Sequence, residues 1–339
     1  MSAKIGILSG PPSLEDVRWL AVRAEAAGFD SVWAGEYFSR NVFTNLAAMA
    51  LSTRRIMIGS AICYAFIRSP TQLAMASADV DEISGGRLLL GLGPGTRAQN
   101  EDWYGVPFEH PGPKLKEVVA IARGLWGHTG GPFRFEGRFH KLSIPNFVRH
   151  NQARPQVPVY VGATNPYMLG VVGQIGDGLL GHPSYTRGYY REVVLPALQE
   201  GIRKAGRQPG DVQRALLVVT VVDRDEERAR REAARWLSFY LVARPFHSIL
   251  DHHGWQEEKA AIVDAFRPPD QAKLTAAISE RMWREVLALV GTPDQVRRQW
   301  QELSPLADHV ILLAPAPYGG LDFPDYRKNY ELILETFGR

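Results

Sequence analysis

Hydrophobic residues along the chain form short continuous runs that alternate with longer amphipathic stretches. Runs such as LLVVTVV at 216–222 lack the polar alternation of a sheet with one wet face, so they predict strands buried on both faces of a parallel sheet. Eight strands are predicted, each followed by a helix, and they cover residues 4–8, 31–34, 56–62, 88–92, 157–161, 178–180, 215–222 and 309–313.

This alternation indicates an α/β fold, and eight strand–helix units favour a closed (β/α)₈ TIM barrel over an open doubly wound sheet. The first helix is not opened by the GxGxxG of dinucleotide-binding proteins, which weakens the open-sheet alternative further. Helix start signals stand at Ser13, at Ser69 before Pro70 and at Thr292 before Pro293. We treat residues 1–339 as a single domain.

Three stretches do not fit the bare repeat, and we interpret them as insertions after strands 4, 6 and 7. Residues 128–156 contain FRFEGRFHKL, which predicts a short hairpin, and residues 182–190 form an aromatic loop. Residues 242–290 form a helical insertion after the seventh helix. Because catalytic groups in this fold come from loops at the C-terminal ends of the strands, we expect these insertions to form a lid.

Composition narrows the functional classes. The 339 residues are 45% hydrophobic and 22% charged, with a net charge of +3 spread over helices of mixed charge, so we expect no nucleic-acid partner. The chain starts without the apolar stretch of a signal peptide, and no apolar run reaches the roughly 18 residues of a membrane span. Cys63 is the single cysteine, and no metal-binding motif is present. We expect a cytoplasmic protein without a metal site or membrane contact.

The second strand ends directly in an acid and a phenol, Glu36 and Tyr37. At the mouth of a barrel, Glu36 could accept a hydrogen bond from a ring cofactor or steer a substrate proton, and Tyr37 could stack or donate. The alternative interpretation is that Glu36 caps the next helix or pairs with Arg40.

Small residues follow three further strands. Gly59, Ser60 and Ala61 would let a flat group lie close to the backbone of the third strand. Gly91, Gly93 and Gly95 would do the same after the fourth strand, although a tight turn explains this spacing equally well. Residues 162–165 precede a helix that opens at Pro166, where free N–H groups could hold an anion.

Taken in order, these stretches resemble the luciferase-like flavin and deazaflavin oxidoreductases, particularly the branch that depends on coenzyme F420. The resemblance is carried by GFDSVWAGEY, the long block from IGSAICYAFIRSP to LLLGLGPG, VPVYVGATNPYMLGVVGQIGDGLL, and the late GTPDQVRRQW with ADHVILLAP. It spans nearly the whole chain and is weakest over residues 242–290. The late segment resembles the methylenetetrahydromethanopterin reductase type.

The resemblance implies a set of cofactor contacts. It implies that Glu36 contacts the flavin or deazaflavin ring and that a non-proline cis peptide near Ala61 and Ile62 lies against the back of the ring. The remaining residues implied to line the cofactor are Tyr64, Gly93, Thr96, Asn100, Gly162, Ala163, Thr164 and Asn165.

Two departures bear on the reaction. Alcohol and sugar-phosphate dehydrogenases of the F420-dependent branch place a His after the acid and a Glu after the fourth strand, where this chain has Tyr37 and Thr96. The resemblance therefore favours hydride transfer between F420 and a small imine, enone or similar acceptor, with Tyr37 or Glu36 as proton donor. The alternatives are a two-component monooxygenase that uses FMN and a flavin-binding barrel without catalysis. Relatives are commonly homodimers, and we expect one here.

Overall fold

The computed structural model describes residues 3–10, 13–266, 270–317 and 321–338. Its strands are β1 (Lys4–Ser9), β2 (Ser31–Ala34), β3 (Met57–Ser60), β4 (Cys63–Tyr64), β5 (Leu88–Gly93), β6 (Gly131–Glu136), β7 (Lys141–Phe147), β8 (Val159–Ala163), β9 (Gly178–Gly181), β10 (Gln213–Val222), β11 (Ala288–Gly291) and β12 (His309–Leu313). Its helices are α1 (Leu14–Ala26), α2 (Val42–Ser52), α3 (Pro70–Ser84), α4 (Pro111–Trp126), α5 (Pro166–Ile175), α6 (Arg187–Tyr189), α7 (Leu195–Lys204), α8 (Glu226–Leu241), α9 (His247–His252), α10 (Gln256–Ala265), α11 (Gln271–Ala276), α12 (Glu280–Glu285), α13 (Pro293–Leu303) and α14 (Tyr326–Phe337).

Within the described residues, eight parallel strands close into a barrel in the order β1, β2, β3, β5, β8, β9, β10 and β12. The ring is completed where β12 pairs with β1, from Lys4 opposite His309 to Leu8 opposite Leu313. The predicted (β/α)₈ barrel is confirmed, and each predicted strand overlaps one strand of the ring. The third strand is interrupted after Ser60, and its short continuation β4 pairs with β5.

A further strand, β11, was not predicted. Val219 of β10 pairs with Leu313 of β12 on one side and with Ala288 of β11 on the other. Since β9 pairs with β10 only as far as Leu216, β11 extends the same edge of β10 beyond the end of β9. The opposite edge of β11 is covered by the Gln299 side chain, which bonds the N–H and C=O of Val290 at 2.7 and 2.9 Å.

The predicted hairpin after the fourth barrel strand is confirmed as the antiparallel pair β6 and β7. Its side chains alternate between exposed and half-buried positions, as expected for strands with one face on the protein. The tip is fixed by Glu117 of α4, whose carboxylate accepts hydrogen bonds from the backbone N–H groups of Arg138, Phe139 and His140. The tip therefore lies against the first half of α4.

The predicted insertion at 242–290 contains α9 to α12 and β11, and its residues 267–269 lie outside the described residues. Contacts with segments that follow barrel strands locate these helices. Phe246 stacks on His182, which follows β9, with ring centroids 3.9 Å apart. Arg235 of α8 donates to the carbonyl of Asp322, which follows β12, at 2.9 Å. The segment before α9 and helix α8 therefore pack at the C-terminal end of the barrel, and buried residues of α9 to α12 join the same apolar cluster as the barrel interior.

Two buried apolar clusters hold the fold together. One fills the layer between the barrel and its surrounding helices, with Leu46, Leu73 and Leu125 among its members. The other joins inward-facing barrel residues such as Trp33 to residues of α8 to α12. The Trp33 ring lies across β3, where a Cβ on Gly59 would come within 2.1 Å of it, so that position admits only glycine.

Polar groups are also buried at the N-terminal end of the barrel interior. Ser31 and His309 are the first residues of β2 and β12. The Ser31 hydroxyl lies 2.8 Å from His309 Nε2 and accepts a hydrogen bond from Trp33 Nε1 at 2.6 Å. Burial lowers the pKa of His309 to about 4, so the ring is neutral near pH 7.

Candidate active site

Glu36 leaves the C-terminal end of β2 as a buried carboxylate, 3% exposed. Its Oε2 accepts hydrogen bonds from the backbone N–H of Tyr64 at 2.9 Å and from Arg68 Nη1 at 3.0 Å. Arg68 Nη2 donates to the other carboxylate oxygen, which makes the ion pair bidentate. The cap of the following helix α2 is Asn41, and not Glu36 as one interpretation of the sequence had it.

Arg68 is the central cation of this site, and the sequence did not identify it as a site residue. It precedes α3 and also donates to the carbonyl of Tyr64 at 3.2 Å and to Cys63 Sγ at 2.8 Å. Burial raises the pKa of the Cys63 thiol, so the thiol is neutral here. Burial alone would lower the pKa of Arg68, but Cys63 and Glu36 raise it above its usual value. The guanidinium is thus permanently charged.

Tyr37 packs away from this ion pair. Its ring lies over Gly35, where an added Cβ would come within 3.1 Å of the ring atoms. Burial, and next the proximity of Tyr330 on α14, raise the pKa of the Tyr37 phenol. The Tyr104 hydroxyl donates to the Tyr37 carbonyl at 3.0 Å. Glu36 therefore faces the third strand, whereas Tyr37 faces the side of the barrel near Tyr330.

The ends of three strands meet at Ile62. The peptide bond between Ala61 and Ile62 is cis, at the position that the resemblance implies. The Ile62 carbonyl accepts from the Glu36 N–H at 3.1 Å. The Ile62 side chain occupies the space left by two glycines, because a Cβ on Gly93 would lie 2.3 Å from it and one on Gly162 would lie 3.2 Å from it. The structure thus brings together predicted residues from β2, β5 and β8.

Asn100 adds a buried polar group beside this junction. Its Nδ2 donates to the carbonyls of Pro94 at 2.7 Å and Thr96 at 2.9 Å, which fixes the orientation of the amide. Its Oδ1 is buried and has no hydrogen-bond partner among the described residues. A Cβ on Gly95 would lie within 3.4 Å of both Asn100 and Tyr64, so these two side chains flank the same turn. An unpaired buried acceptor here points to a missing donor.

Two further predicted residues make local hydrogen bonds. The Thr96 hydroxyl accepts from the Gln99 N–H at 3.2 Å and caps the turn that carries Asn100. Asn165 is exposed, and its Oδ1 accepts from the Met168 N–H at 2.9 Å, which caps α5. Both residues therefore fix the backbone next to the site.

The aromatic loop after β9 holds the β8 loop in place. Tyr185 donates its hydroxyl hydrogen to the Ala163 carbonyl, and Tyr189 donates to the Thr164 carbonyl at 2.9 Å. His182 opens this loop, with Nδ1 2.7 Å from the Ser184 hydroxyl. Burial lowers the pKa of His182 to about 3, so its ring is neutral. The two tyrosines thus fix the backbone of the predicted residues 163 and 164.

Two kinds of feature are absent from the described residues. Among the residues that the structure describes, no three His, Cys, Asp or Glu side chains lie close enough together to hold a metal ion. In the same part of the chain, no helix has the length and apolar character needed to cross a membrane.

A closed parallel barrel with polar groups gathered at the C-terminal strand ends is the architecture of barrel enzymes. The chain belongs to the luciferase-like family: residues 2–308 match the family described as luciferase-like monooxygenase.

Similar proteins include archaeal reductases. The chain is 31% identical over 316 residues, 91% of each chain, to a protein of Archaeoglobus fulgidus named 5,10-methylenetetrahydromethanopterin reductase. It superposes on the structure of the coenzyme F420-dependent tetrahydromethanopterin reductase from Methanopyrus kandleri with a TM-score of 0.84 and 27% identity, over 99% of this chain and 98% of that one. An F420-dependent secondary alcohol dehydrogenase, bound to an F420-acetone adduct, shares the fold with a TM-score of 0.76, 20% identity and coverage of 99% and 98%.

Proposed function

We propose that this protein is an oxidoreductase that transfers a hydride between coenzyme F420 and a small organic substrate. The observation that carries the proposal is its relation to archaeal reductases over nine-tenths of both chains, since one of them is 31% identical and the structure of an F420-dependent one superposes with a TM-score of 0.84. The site gathered around Ile62 agrees with this relation.

The residues present fit a deazaflavin ring. Asn100 offers a buried acceptor without a donor among the described residues, and a hydroxyl or ring N–H could satisfy it. Ile62 and the backbone at Gly93 and Gly162 would support one face of the ring, and residues 163 and 164 would line its tail. When bound, F420 would supply the hydride acceptor or donor, while the protein supplies position and exclusion of water.

The two residues after β2 take different roles in this proposal. Glu36 is a positioning residue, because its carboxylate is bound by Arg68 and the Tyr64 N–H and so holds β2 against the third strand. We assign the proton donor role to Tyr37, because it follows Glu36 at the C-terminal end of β2 and its phenol carries a hydrogen at neutral pH.

We propose an imine, an enone or a similar acceptor as the substrate. The support is Tyr37, a weak acid at the position where related alcohol and sugar-phosphate dehydrogenases carry a His. A phenol that stays protonated suits donation to an acceptor better than removal of a proton from an alcohol. The helices that pack at the C-terminal end of the barrel, α8 to α12, would form the lid over the substrate.

Cofactor titration tests the first part of the proposal. Purified protein is titrated with F420 and with FMN, and fluorescence is followed. We expect saturable binding of F420 and much weaker binding of FMN. Tight FMN binding with negligible F420 binding would overturn the proposal in favour of a flavin-dependent monooxygenase.

Turnover tests the second part. Reduced F420 is mixed with a panel of cyclic imines, enones and ketones, and the absorbance of oxidised F420 is followed. We expect oxidation with imines or enones. Turnover only in the reverse assay, in which a secondary alcohol is oxidised and oxidised F420 is reduced, would refute the assigned substrate class. No turnover with any compound would favour a cofactor-binding protein without catalysis.

We also propose a cytoplasmic homodimer. Four apolar side chains on neighbouring helices α1, α2 and α3 are largely exposed: Val22, Leu51, Met75 and Ile83, between 47% and 73%. Exposed apolar surface of this kind favours contact with another protein surface. Light scattering after size exclusion should give twice the chain mass, and Leu51→Glu should give the monomer.

A further inference from the structure

A hollow lies outside the junction at Ile62. It has a volume of about 510 Å³, within the range of small-molecule sites. Its walls come from the loop after β4 with the start of α3, from Lys114 in the first turn of α4, and from the tip of the hairpin. Phe66 and Phe139 supply apolar surface, and residues 138–140 are tied to α4 through Glu117.

The ionisable residues that line the hollow are all basic: Arg68, Lys114, His140 and Lys141. Three of them face carboxylates that stand outside the lining. Arg68 pairs with Glu36, His140 Nδ1 lies 3.0 Å from Glu117, and Lys141 pairs with Glu136 at 3.1 Å on the surface.

Lys114 differs from the other three. Its side chain is half-buried, and its Nζ has no hydrogen bond or ion pair to any residue that the structure describes. It lies 4.7 Å from the centre of the Phe66 ring, which holds the ammonium at the wall by a cation–π contact. A partly buried ammonium without a counter-charge is unfavourable, and an anion in the hollow would compensate it.

We propose that this hollow is a binding site for a small anion that carries phosphate or carboxylate groups. Lys114 would contribute the unpaired charge and Lys141 a second cation at the open side. Arg68 has one side facing the hollow and the other bound to Glu36, so the anion would share this guanidinium with the Glu36 site. The site is distinct from the stretches after β5 and β8 that line the cofactor in the proposal above, and its anion chemistry does not depend on which cofactor the barrel binds.

Calorimetric titration with inorganic phosphate and with pyrophosphate at low ionic strength tests the site. We expect pyrophosphate to bind the full-length protein, and Lys114→Met to weaken it about tenfold, because one charge-assisted contact is lost while the aliphatic stem on Phe66 remains. The matched control is Lys116→Met, on the same helix but facing Gln174. It should bind as the wild type does.

Competition identifies the source of the anion. If F420 displaces pyrophosphate while a deazaflavin without the acidic tail does not, the natural occupant is the acidic tail of the cofactor. If neither displaces it, the occupant is a separate small anion. Absence of phosphate and pyrophosphate binding to the wild type, or equal affinities of the Lys114→Met and Lys116→Met proteins, would overturn the proposal. A protein that fails to bind F420 and still binds pyrophosphate through Lys114 would refute the proposed function alone.

Discussion

Buried polar groups occupy both ends of the barrel, and the two clusters differ in charge. At the N-terminal end, Ser31, Trp33 and His309 form a closed, neutral set in which the hydroxyl bonds both rings. At the C-terminal end, Glu36 and Arg68 form an ion pair. The first cluster needs nothing beyond the protein, whereas the second stands beside the unpaired acceptor of Asn100.

This difference in charge indicates that the N-terminal cluster serves stability and the C-terminal ion pair serves function. A neutral buried cluster with its hydrogen bonds made costs little and fixes the packing of the barrel interior. A buried ion pair contributes less to stability than apolar packing in the same volume would, so its retention points to a use for the charge. In barrels of this class, the C-terminal end is also where catalytic groups lie. The predictions below test whether the two ends respond in these different ways.

The largest effect is expected from breaking the ion pair. Glu36→Gln should lower the free energy of unfolding by about 3 kcal/mol, because Arg68 is left charged and buried without a counter-ion. It should also weaken F420 binding. Urea denaturation and cofactor titration measure the two effects. Adding Arg68→Met to Glu36→Gln should recover part of the stability but not the cofactor affinity. Additive losses of stability in the double variant would contradict a coupled pair.

The neutral cluster should respond to pH instead. The pKa of His309 is about 4 in the folded protein and about 6.5 when unfolded. The unfolded chain therefore binds more protons between these values, and stability is lost as the pH falls through this window, by about 3 kcal/mol from this residue. His182, with a pKa of about 3, adds a loss of the same sign. Urea denaturation from pH 7 to pH 4 should show a shallower loss in His309→Gln than in the wild type, and parallel curves would refute the assignment.

Tyr37 should affect catalysis and leave binding unchanged. Tyr37→Phe removes the proposed proton donor and should lower kcat about 100-fold with an unaltered Kd for F420. The matched control is Tyr167→Phe on the outer face of α5, which is 61% exposed and should leave both quantities unchanged. A wild-type kcat in the Tyr37→Phe protein would show that another group donates the proton.

The strands of the barrel could be predicted because strands buried on both faces appear as uninterrupted apolar runs. The strand β11 could not, because its residues, ALVG, lie at the end of a stretch that the sequence pattern predicted to be helical. Its pairing depends on β10 continuing past the end of β9, which is a property of the assembled barrel and not of the local sequence.

The candidate site also contains residues that could be predicted from the sequence and residues that could not. Glu36 was singled out because it directly follows a recognisable strand, whereas the cis peptide at Ala61 and Ile62 was implied by the family resemblance and not by the local pattern. Arg68 was not predicted as the partner of Glu36, because the two residues are 32 positions apart and meet only when the third strand closes beside the second. Arginine and glutamate are both common, and no local sequence pattern indicates that these two residues form a pair.

The smallest effect is expected where a predicted cofactor residue serves as a helix cap. Asn165→Ala should cost about 1 kcal/mol of unfolding free energy, because the Met168 N–H loses its acceptor. Asn165→Asp keeps an acceptor at this position and should restore the stability. If Asn165 acts on the cofactor only by fixing the start of α5, the F420 affinity of both variants should follow their stability. An Asn165→Asp protein that is fully stable but binds F420 poorly would show instead that the side chain at this position itself contacts the cofactor. In that protein the cap of α5 would be intact, and the new carboxylate would repel the acidic tail of the cofactor.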